Sequence, residues 1–130
     1  MAQILLIEPD RILAETYYRA LTGAGHNVAV CSSAQAAIMA ADDTRPDIVI
    51  LEFQLVSHSG MEFLYEFRSY ADWQTIPVVI QTNVPPSEFA GARDLLMNEL
   101  GVSAYLYKPQ ATLRKLCTLV DECAVFNDVV

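Results

Sequence analysis

Five side chains of the kinds that bind phosphoryl groups or cations follow apolar runs in this sequence. They are three acids, one hydroxyl and one lysine: Glu8, Asp10, Glu52, Thr82 and Lys108. A carboxylate that faces a lysine and a hydroxyl can hold a phosphoryl group, because the set supplies a nucleophile, a counter-charge and a hydrogen-bond donor. Clustered acids repel one another unless a cation lies among them, and a lysine or a divalent metal could supply that charge. The alternative is an ion pair that only stabilises strand ends.

The apolar runs that precede these side chains have the length of buried β-strands. Five occur, with the sequences QILLI, NVAVC, DIVILE, PVVIQ and SAYLY, and several are continuous, as strands covered on both faces require. Five helical patterns lie between or after them, the fourth from Phe89, Leu95, Leu96 and Glu99. This alternation predicts an α/β fold with a doubly wound parallel sheet and five flanking helices. In such sheets ligands bind at the carboxyl ends of the strands, where the five side chains would meet.

Composition and charge narrow the range of functions. The 130 residues fit one domain, for which we expect the range 1–125 and a short tail at 126–130. No apolar run is long enough to span a membrane and the start lacks a secretion signal, so we expect a cytoplasmic protein. Eight basic against sixteen acidic residues give a net charge of -8 without a positive stripe, which argues against nucleic-acid binding. The three cysteines form no C-x-x-C motif and are predicted to be free thiols.

Four segments together resemble the receiver domain of bacterial two-component response regulators. They are ILLIEPD, RPDIVILEFQLVSHSGMEFL, IPVVIQT and YLYKP, and their order, spacing and character all agree with that family from Gln3 to about Cys123. The resemblance implies a flavodoxin-like fold with the strand order 2-1-3-4-5 and a role in phosphorelay signal transduction. It also implies a cis peptide bond between Lys108 and Pro109.

The resemblance also implies roles for individual residues. Glu52 stands at the place of the phosphorylated aspartate. Thr82 and Lys108 stand at the places of the hydroxyl and the lysine that contact the phosphoryl group. Tyr105 stands where the family has an aromatic residue that swings between exposed and buried positions, so we expect it to carry a switch or interface role.

One departure from the family pattern concerns the metal. Glu8 and Pro9 stand where the family has an acidic pair that binds Mg2+, and proline offers no side-chain ligand. Asp10 is either a further acid of the pocket or the N-cap of the helix that follows. With only Glu8, Glu52 and the backbone carbonyl of Gln54 as ligands, Mg2+ should bind weakly or not at all. No cofactor is required by this interpretation.

The larger departure is the glutamate at the phosphoacceptor position. Its extra methylene carries the carboxylate about 1.5 Å further out, and a misplacement of about 1 Å can cost a hundredfold in rate. We therefore predict an atypical, stand-alone receiver that is not an enzyme and is not phosphorylated in the usual way. Glu52 would form a standing ion pair with Lys108, backed by Thr82.

The output is expected to pass through protein contacts. We predict a protein partner or a homodimer at the surface of the fourth helix, the fifth strand and the fifth helix, with a sensor kinase upstream. Val84, Pro85 and Pro86 follow the fourth strand, and two consecutive prolines should stiffen a loop that is mobile in the family.

Two alternatives remain open at the level of sequence. The first is a working receiver that accepts phosphate with residual Mg2+. The second is a flavodoxin-like enzyme or flavin binder, against which EPDRIL lacks the glycines of a phosphate loop and no Ser-His or Cys-His set follows the strands. His26 lies in a turn before the second strand and is predicted to be structural.

Overall fold

Five parallel strands form the sheet at the centre of the molecule. The structure, a computed structural model, describes the backbone of residues 1–129 and the side chains of residues 1–123. The strand order is β2-β1-β3-β4-β5, as the resemblance implied. The strands are β1 (Gln3–Ile7), β2 (Asn27–Cys31), β3 (Ile48–Leu51), β4 (Val78–Thr82) and β5 (Val102–Tyr107).

Four α-helices cover the two faces of the sheet. They are α1 (Arg11–Gly23), α2 (Ala34–Asp43), α3 (Gly60–Ser69) and α4 (Leu113–Val129). Buried side chains of α1 and α4 share one hydrophobic cluster, and those of α2 and α3 share the other. No helix in the described range 1–129 is both long enough and apolar enough to cross a bilayer.

The last helix is longer than the sequence suggested. Residues 126–129, which we expected to lie in a tail, continue α4, and Val130 lies outside the described residues. Neither proline nor glycine occurs between Leu113 and Val129, so nothing in the local sequence ends the helix earlier.

The predicted fourth helix is not a regular α-helix. Pro86–Ala92 forms a 3-10 helix and Leu95–Glu99 a single stretch of π-helix, which together we call the 86–99 segment. Gly91 inside the segment has low helix propensity, so the sequence supports a continuous α-helix poorly, whereas Pro86 stands at the first position, where proline is tolerated. Leu96 nevertheless reaches the core, where it is 2% exposed.

The Lys108–Pro109 bond is trans, so the prediction of a cis bond was wrong, and no cis peptide occurs in the described backbone. Trans is the ordinary state of bonds that precede proline. Here Pro109 lies in the first turn of the short 3-10 helix Lys108–Gln110, which directly follows β5.

A glycine fixes the loop that follows β3. The Gly60 N–H donates to the carbonyl of Phe53 at 2.8 Å, and Gln54 and Ser59 form an isolated antiparallel bridge inside the loop. A Cβ atom on Gly60 would lie 2.7 Å from the Cα of Phe53, so only glycine fits there without displacing the backbone. This contact anchors the residue next to Glu52.

His26 ties three elements together at the opposite end of the sheet. Its Nδ1 accepts the N–H of Ala2 at 3.0 Å, and its Nε2 lies 2.8 Å from Oδ1 of Asp121 on α4. The residue is 7% exposed. These contacts agree with the structural role predicted for it.

Candidate functional site

The site begins at the carboxyl ends of three strands. Ile7 and Leu51 are paired in the sheet, so Glu8 and Glu52, which follow them, leave β1 and β3 side by side. The N–H of Glu52 donates to the carbonyl of Ile7 at 3.0 Å, which holds this first residue beyond the strand in sheet register. Both glutamates are 4% exposed. Lys108 directly follows β5.

Lys108 joins the two glutamates. Its Nζ donates to Oε1 of Glu8 at 2.5 Å and to Oε1 of Glu52 at 2.7 Å, and all three side chains are at least nine-tenths buried. The second oxygen of each carboxylate accepts the backbone N–H two residues further on, from Asp10 at 3.0 Å and from Gln54 at 3.1 Å. We call Glu8, Glu52 and Lys108 the acid–lysine cluster.

The charges in the cluster keep the lysine protonated. Burial alone would lower the pKa of Lys108, but the hydrogen bonds to Glu52 and Glu8 and the negative charges of these two residues together outweigh burial and raise the pKa above its ordinary value. One ammonium therefore faces two carboxylates out of contact with water. The ammonium is the counter-charge of both buried carboxylates, so its removal would leave them without one.

The residues of the cluster do not fit a bound Mg2+. That ion requires about six oxygen ligands in octahedral geometry, whereas the carboxylates of Glu8 and Glu52 both converge on the Lys108 ammonium, whose positive charge repels a second cation. Pro9 adds no side-chain oxygen, and the part of Gln54 that meets the carboxylate is its N–H. Within the described residues no group of three or more His, Cys, Asp or Glu side chains is arranged to hold a metal.

Asp10 and Thr82, which the sequence suggested for the pocket, form hydrogen bonds elsewhere. The carboxylate of Asp10 accepts the N–H groups of Ile12 and Leu13, each at 3.0 Å, so it caps α1 and only its backbone contacts the cluster. Thr82 is fully buried at the end of β4, and its Oγ1 accepts the N–H of Val84 at 3.3 Å. In the described part of the chain, neither side chain is hydrogen-bonded to the acid–lysine cluster.

Tyr105 lies between the cluster and the 86–99 segment. Its hydroxyl donates to the carbonyl of Val84 at 2.7 Å, so Val84 is bonded to Tyr105 through its carbonyl and to Thr82 through its N–H. Its ring meets Phe53 and Phe89, with centroid distances of 6.3 and 6.2 Å. Burial is the main cause that raises the pKa of the Tyr105 hydroxyl to about 12, and the negative charges of Glu52 and Glu88 add to it.

Two residues near the cluster were missed at the level of sequence. Tyr17 on α1 is 6% exposed, and although burial is the main cause of its raised pKa, the charges of Lys108, Glu8 and Glu52 also act on it. Gln81 on β4 is 4% exposed. For Gln81 the available signal was a polar residue inside the buried run PVVIQT, whereas nothing in the sequence around Tyr17 pointed to the site.

The fold and the site define a class of protein: a doubly wound α/β domain with buried acids and a lysine at the carboxyl edge of its sheet. The sequence matches the response regulator receiver domain over residues 4–121. The chain therefore belongs to the response regulator receiver domain family, whose members serve two-component signalling.

Known proteins similar to this chain agree with that assignment. It is 26% identical over 137 aligned positions to the KDP operon transcriptional regulatory protein KdpE of Escherichia coli, with 99% of this chain and 60% of the relative covered. It is 29% identical over 136 positions to the probable transcriptional regulatory protein TcrX of Mycobacterium tuberculosis, with 98% and 57% covered. The chain thus spans about three-fifths of the length of these curated relatives.

Solved structures support the fold. A CheY-like response regulator receiver domain protein from Methanospirillum hungatei superposes with a TM-score of 0.85 at 16% identity, covering 98% of this chain and 97% of that one. The chemotaxis protein CheY4 of Vibrio cholerae gives a TM-score of 0.82 at 20% identity, covering 95% and 98%. At these identities the likeness shows the fold alone.

Proposed function

We propose that this receiver domain works without conventional phosphotransfer, that the acid–lysine cluster stands in for the phosphorylated state, and that the output is a protein–protein contact. The observation that carries the proposal is the position of Lys108 Nζ, within 2.7 Å of both Glu52 and Glu8. The cytoplasmic location predicted from the sequence, the absence of enzymatic activity and an upstream sensor kinase are parts of the same proposal.

The state of Glu52 supports this interpretation. Oε1 of Glu52 accepts from Lys108 and Oε2 accepts from the N–H of Gln54, so both oxygens are held in one orientation by bonds inside the protein. Correct alignment of the nucleophile with the phosphate donor is worth orders of magnitude in rate. The extra methylene of glutamate places its oxygens where the resemblance expects phosphoryl oxygens, and the lysine expected to hold the phosphoryl group holds this carboxylate instead.

The surroundings of Tyr105 support an output at the surface that the sequence predicted. The half-buried ring is held by its hydrogen bond to Val84, and it lines a groove of about 580 Å³ together with Phe89, Leu96 and Met97 of the 86–99 segment. Aromatic and methionine side chains are enriched in protein interfaces. We infer that a protein partner or a second copy of the chain binds this segment with β5 and α4.

Phosphorylation of engineered variants tests the proposal. After incubation with acetyl phosphate and Mg2+, the wild-type protein should show no phosphate adduct by intact-mass spectrometry. Glu52→Asp should show a small fraction of adduct, because the nucleophile has the family's length but Pro9 still supplies no metal ligand. Glu52→Asp combined with Pro9→Asp should show at least several times more.

The control variants separate the effect of Glu52 from the effect of Pro9. Pro9→Asp alone should remain without adduct, because it leaves Glu52 bonded to Lys108. A clean single adduct on the wild-type protein would overturn the proposal in favour of a receiver that accepts phosphate with residual Mg2+. That second candidate is favoured by the presence of Thr82 and Lys108 at the same sheet edge. Equal adduct in the single and double aspartate variants would show that the metal argument built on Pro9 is wrong.

Removing the hydroxyl of Tyr105 should have a pH-dependent effect on stability. Tyr105→Phe loses one hydrogen bond, which should lower the free energy of unfolding by about 1 kcal/mol at neutral pH. The pKa of the Tyr105 hydroxyl is raised to about 12 in the folded protein, so folding favours the neutral phenol. The contribution of the hydroxyl to stability is therefore fully present below the pKa of an unfolded tyrosine, about 10. It is lost as the pH rises toward 12.

Urea denaturation of both proteins between pH 7 and 11 would measure this effect. The stability difference between wild type and Tyr105→Phe should be constant up to about pH 9 and then shrink. A difference that does not change with pH would contradict the burial of the Tyr105 hydroxyl near Glu52.

A further inference from the structure

Gln81 lies on the same face of the sheet as the acid–lysine cluster. Leu51 and Ile80 are paired between β3 and β4, so the next residues, Glu52 and Gln81, are neighbours across the two strands. Side chains alternate along a strand, and Val79, two residues before Gln81, belongs to the core cluster on the α1 and α4 side. Gln81 therefore points to that side.

The lysine reaches the same side from the other neighbouring strand. Gln81 is paired with Leu106 on β5, and Leu106 belongs to the same core cluster as Val79. Lys108 follows Leu106 by two residues, and its bonds to Glu8 and Glu52 show that it reaches toward β1 and β3 across the end of β4. Gln81 thus lies between Glu52 on one side and the strand that carries Lys108 on the other.

Two groups on this side of the sheet have unfilled hydrogen-bonding capacity. The side-chain oxygen of Gln81 is fully buried and has no hydrogen-bond partner within the described residues. Leaving a buried acceptor unpaired costs free energy, and buried polar groups in native proteins almost always have a partner. A lysine ammonium has three donors, and the bonds to Glu8 and Glu52 use two of those on Lys108.

We propose that Gln81 is a positioning residue of the site, whose side-chain carbonyl accepts the third N–H of Lys108 through one internal water. Buried waters typically bridge otherwise unsatisfied polar groups in this way. Gln81 then fixes the ammonium from the β4 side while Glu8 and Glu52 fix it from the β1 and β3 side. This inference does not depend on the proposed function, because it holds whether or not Glu52 can accept phosphate.

The substitution Gln81→Leu tests the proposal through the sign of its effect. Leucine has a similar size and no polar atom. If the side-chain oxygen of Gln81 truly lacked a partner, replacing it with leucine would therefore stabilise the protein. If Gln81 holds Lys108, the substitution should instead raise the unfolding equilibrium constant about tenfold, measured by urea denaturation. Asn83→Leu makes the same kind of change at an exposed position just past β4 and should alter that constant less than twofold.

The effect should also depend on the cluster. In a background in which Glu8→Gln, Glu52→Gln and Lys108→Met remove the three charges, Gln81→Leu should change the unfolding constant less than twofold or lower it. Equal destabilisation in both backgrounds, or stabilisation in both, would overturn the proposal.

A spectroscopic measurement on the otherwise intact protein decides the matter even if the triple variant fails to fold. The ¹⁵N signal of the Lys108 ammonium, identified by its loss in Lys108→Met or Lys108→Arg, should shift in Gln81→Leu, and its protons should exchange with water at least several times faster. An ammonium signal with unchanged position and exchange rate in Gln81→Leu would contradict the positioning role.

Discussion

Replacing Lys108 with methionine should lower the free energy of unfolding by about 3–5 kcal/mol, the usual cost of removing one partner from a buried ion pair. Methionine fills a similar volume but leaves Glu8 and Glu52 next to each other without a counter-charge, and both are 4% exposed. Urea denaturation followed by circular dichroism would measure the loss. Lys115→Met, on the exposed side of α4, makes the same chemical change away from the cluster and should alter stability by less than about 0.5 kcal/mol.

Neutralising the two acids should reverse most of that loss. Adding Glu8→Gln and Glu52→Gln to Lys108→Met removes the stranded charges, so the triple variant should be more stable than the single variant by about 2 kcal/mol or more. If the triple variant were no more stable than Lys108→Met, the loss would come from packing around the lysine stem and not from the ion pairs.

Replacing Gly60 with alanine should have the second large effect, about 3 kcal/mol, at the upper end of the range for overpacking. The added Cβ would clash with the ring of Phe53 and lie 2.7 Å from its Cα, and the backbone contact cannot be relieved by rotating a side chain. Because Phe53 follows Glu52 directly, the shift should also disturb the bond from Glu52 to Lys108.

Thermal or urea unfolding of Gly60→Ala would measure this cost, with Gly91→Ala as the matched control. A Cβ on Gly91 meets no atom within 4 Å, so that substitution should be neutral or slightly stabilising. Similar stability of the two variants would show that the loop after β3 can move away from α3 without loss.

The regular elements of the fold were predictable because they follow from strong local patterns. The runs QILLI and DIVILE read as buried strands, and together with the motifs that carry the family resemblance they gave the strand order found in the structure. The 86–99 segment was not predictable in detail. Its apolar residues have helical spacing, but Gly91 lowers the helix propensity inside the segment, and such spacing does not distinguish an α-helix from the 3-10 and π stretches found.

The cluster was predicted only in part. The pairing of Glu52 with Lys108 was expected because both residues leave the same edge of the sheet, on either side of β4, and the structure has this contact at 2.7 Å. Sequence could not show that the same ammonium also reaches Glu8. Local hydrogen bonds explain the misplaced residues, because Asp10 caps α1 and Thr82 accepts from Val84, and such bonds compete with a shared pocket.

We propose that Lys108 alone supplies the positive charge that the buried Glu8 and Glu52 require, and a Mg2+ titration followed by amide NMR tests this most directly. The signals of Glu8, Glu52 and Gln54 should stay in place as Mg2+ is raised to about 10 mM, because both carboxylates are paired with the Lys108 ammonium and Pro9 supplies no side-chain oxygen. The Glu52→Asp, Pro9→Asp variant should show saturable shifts at the same positions. Saturable shifts confined to these three amides in the wild-type protein would contradict the central role of Lys108.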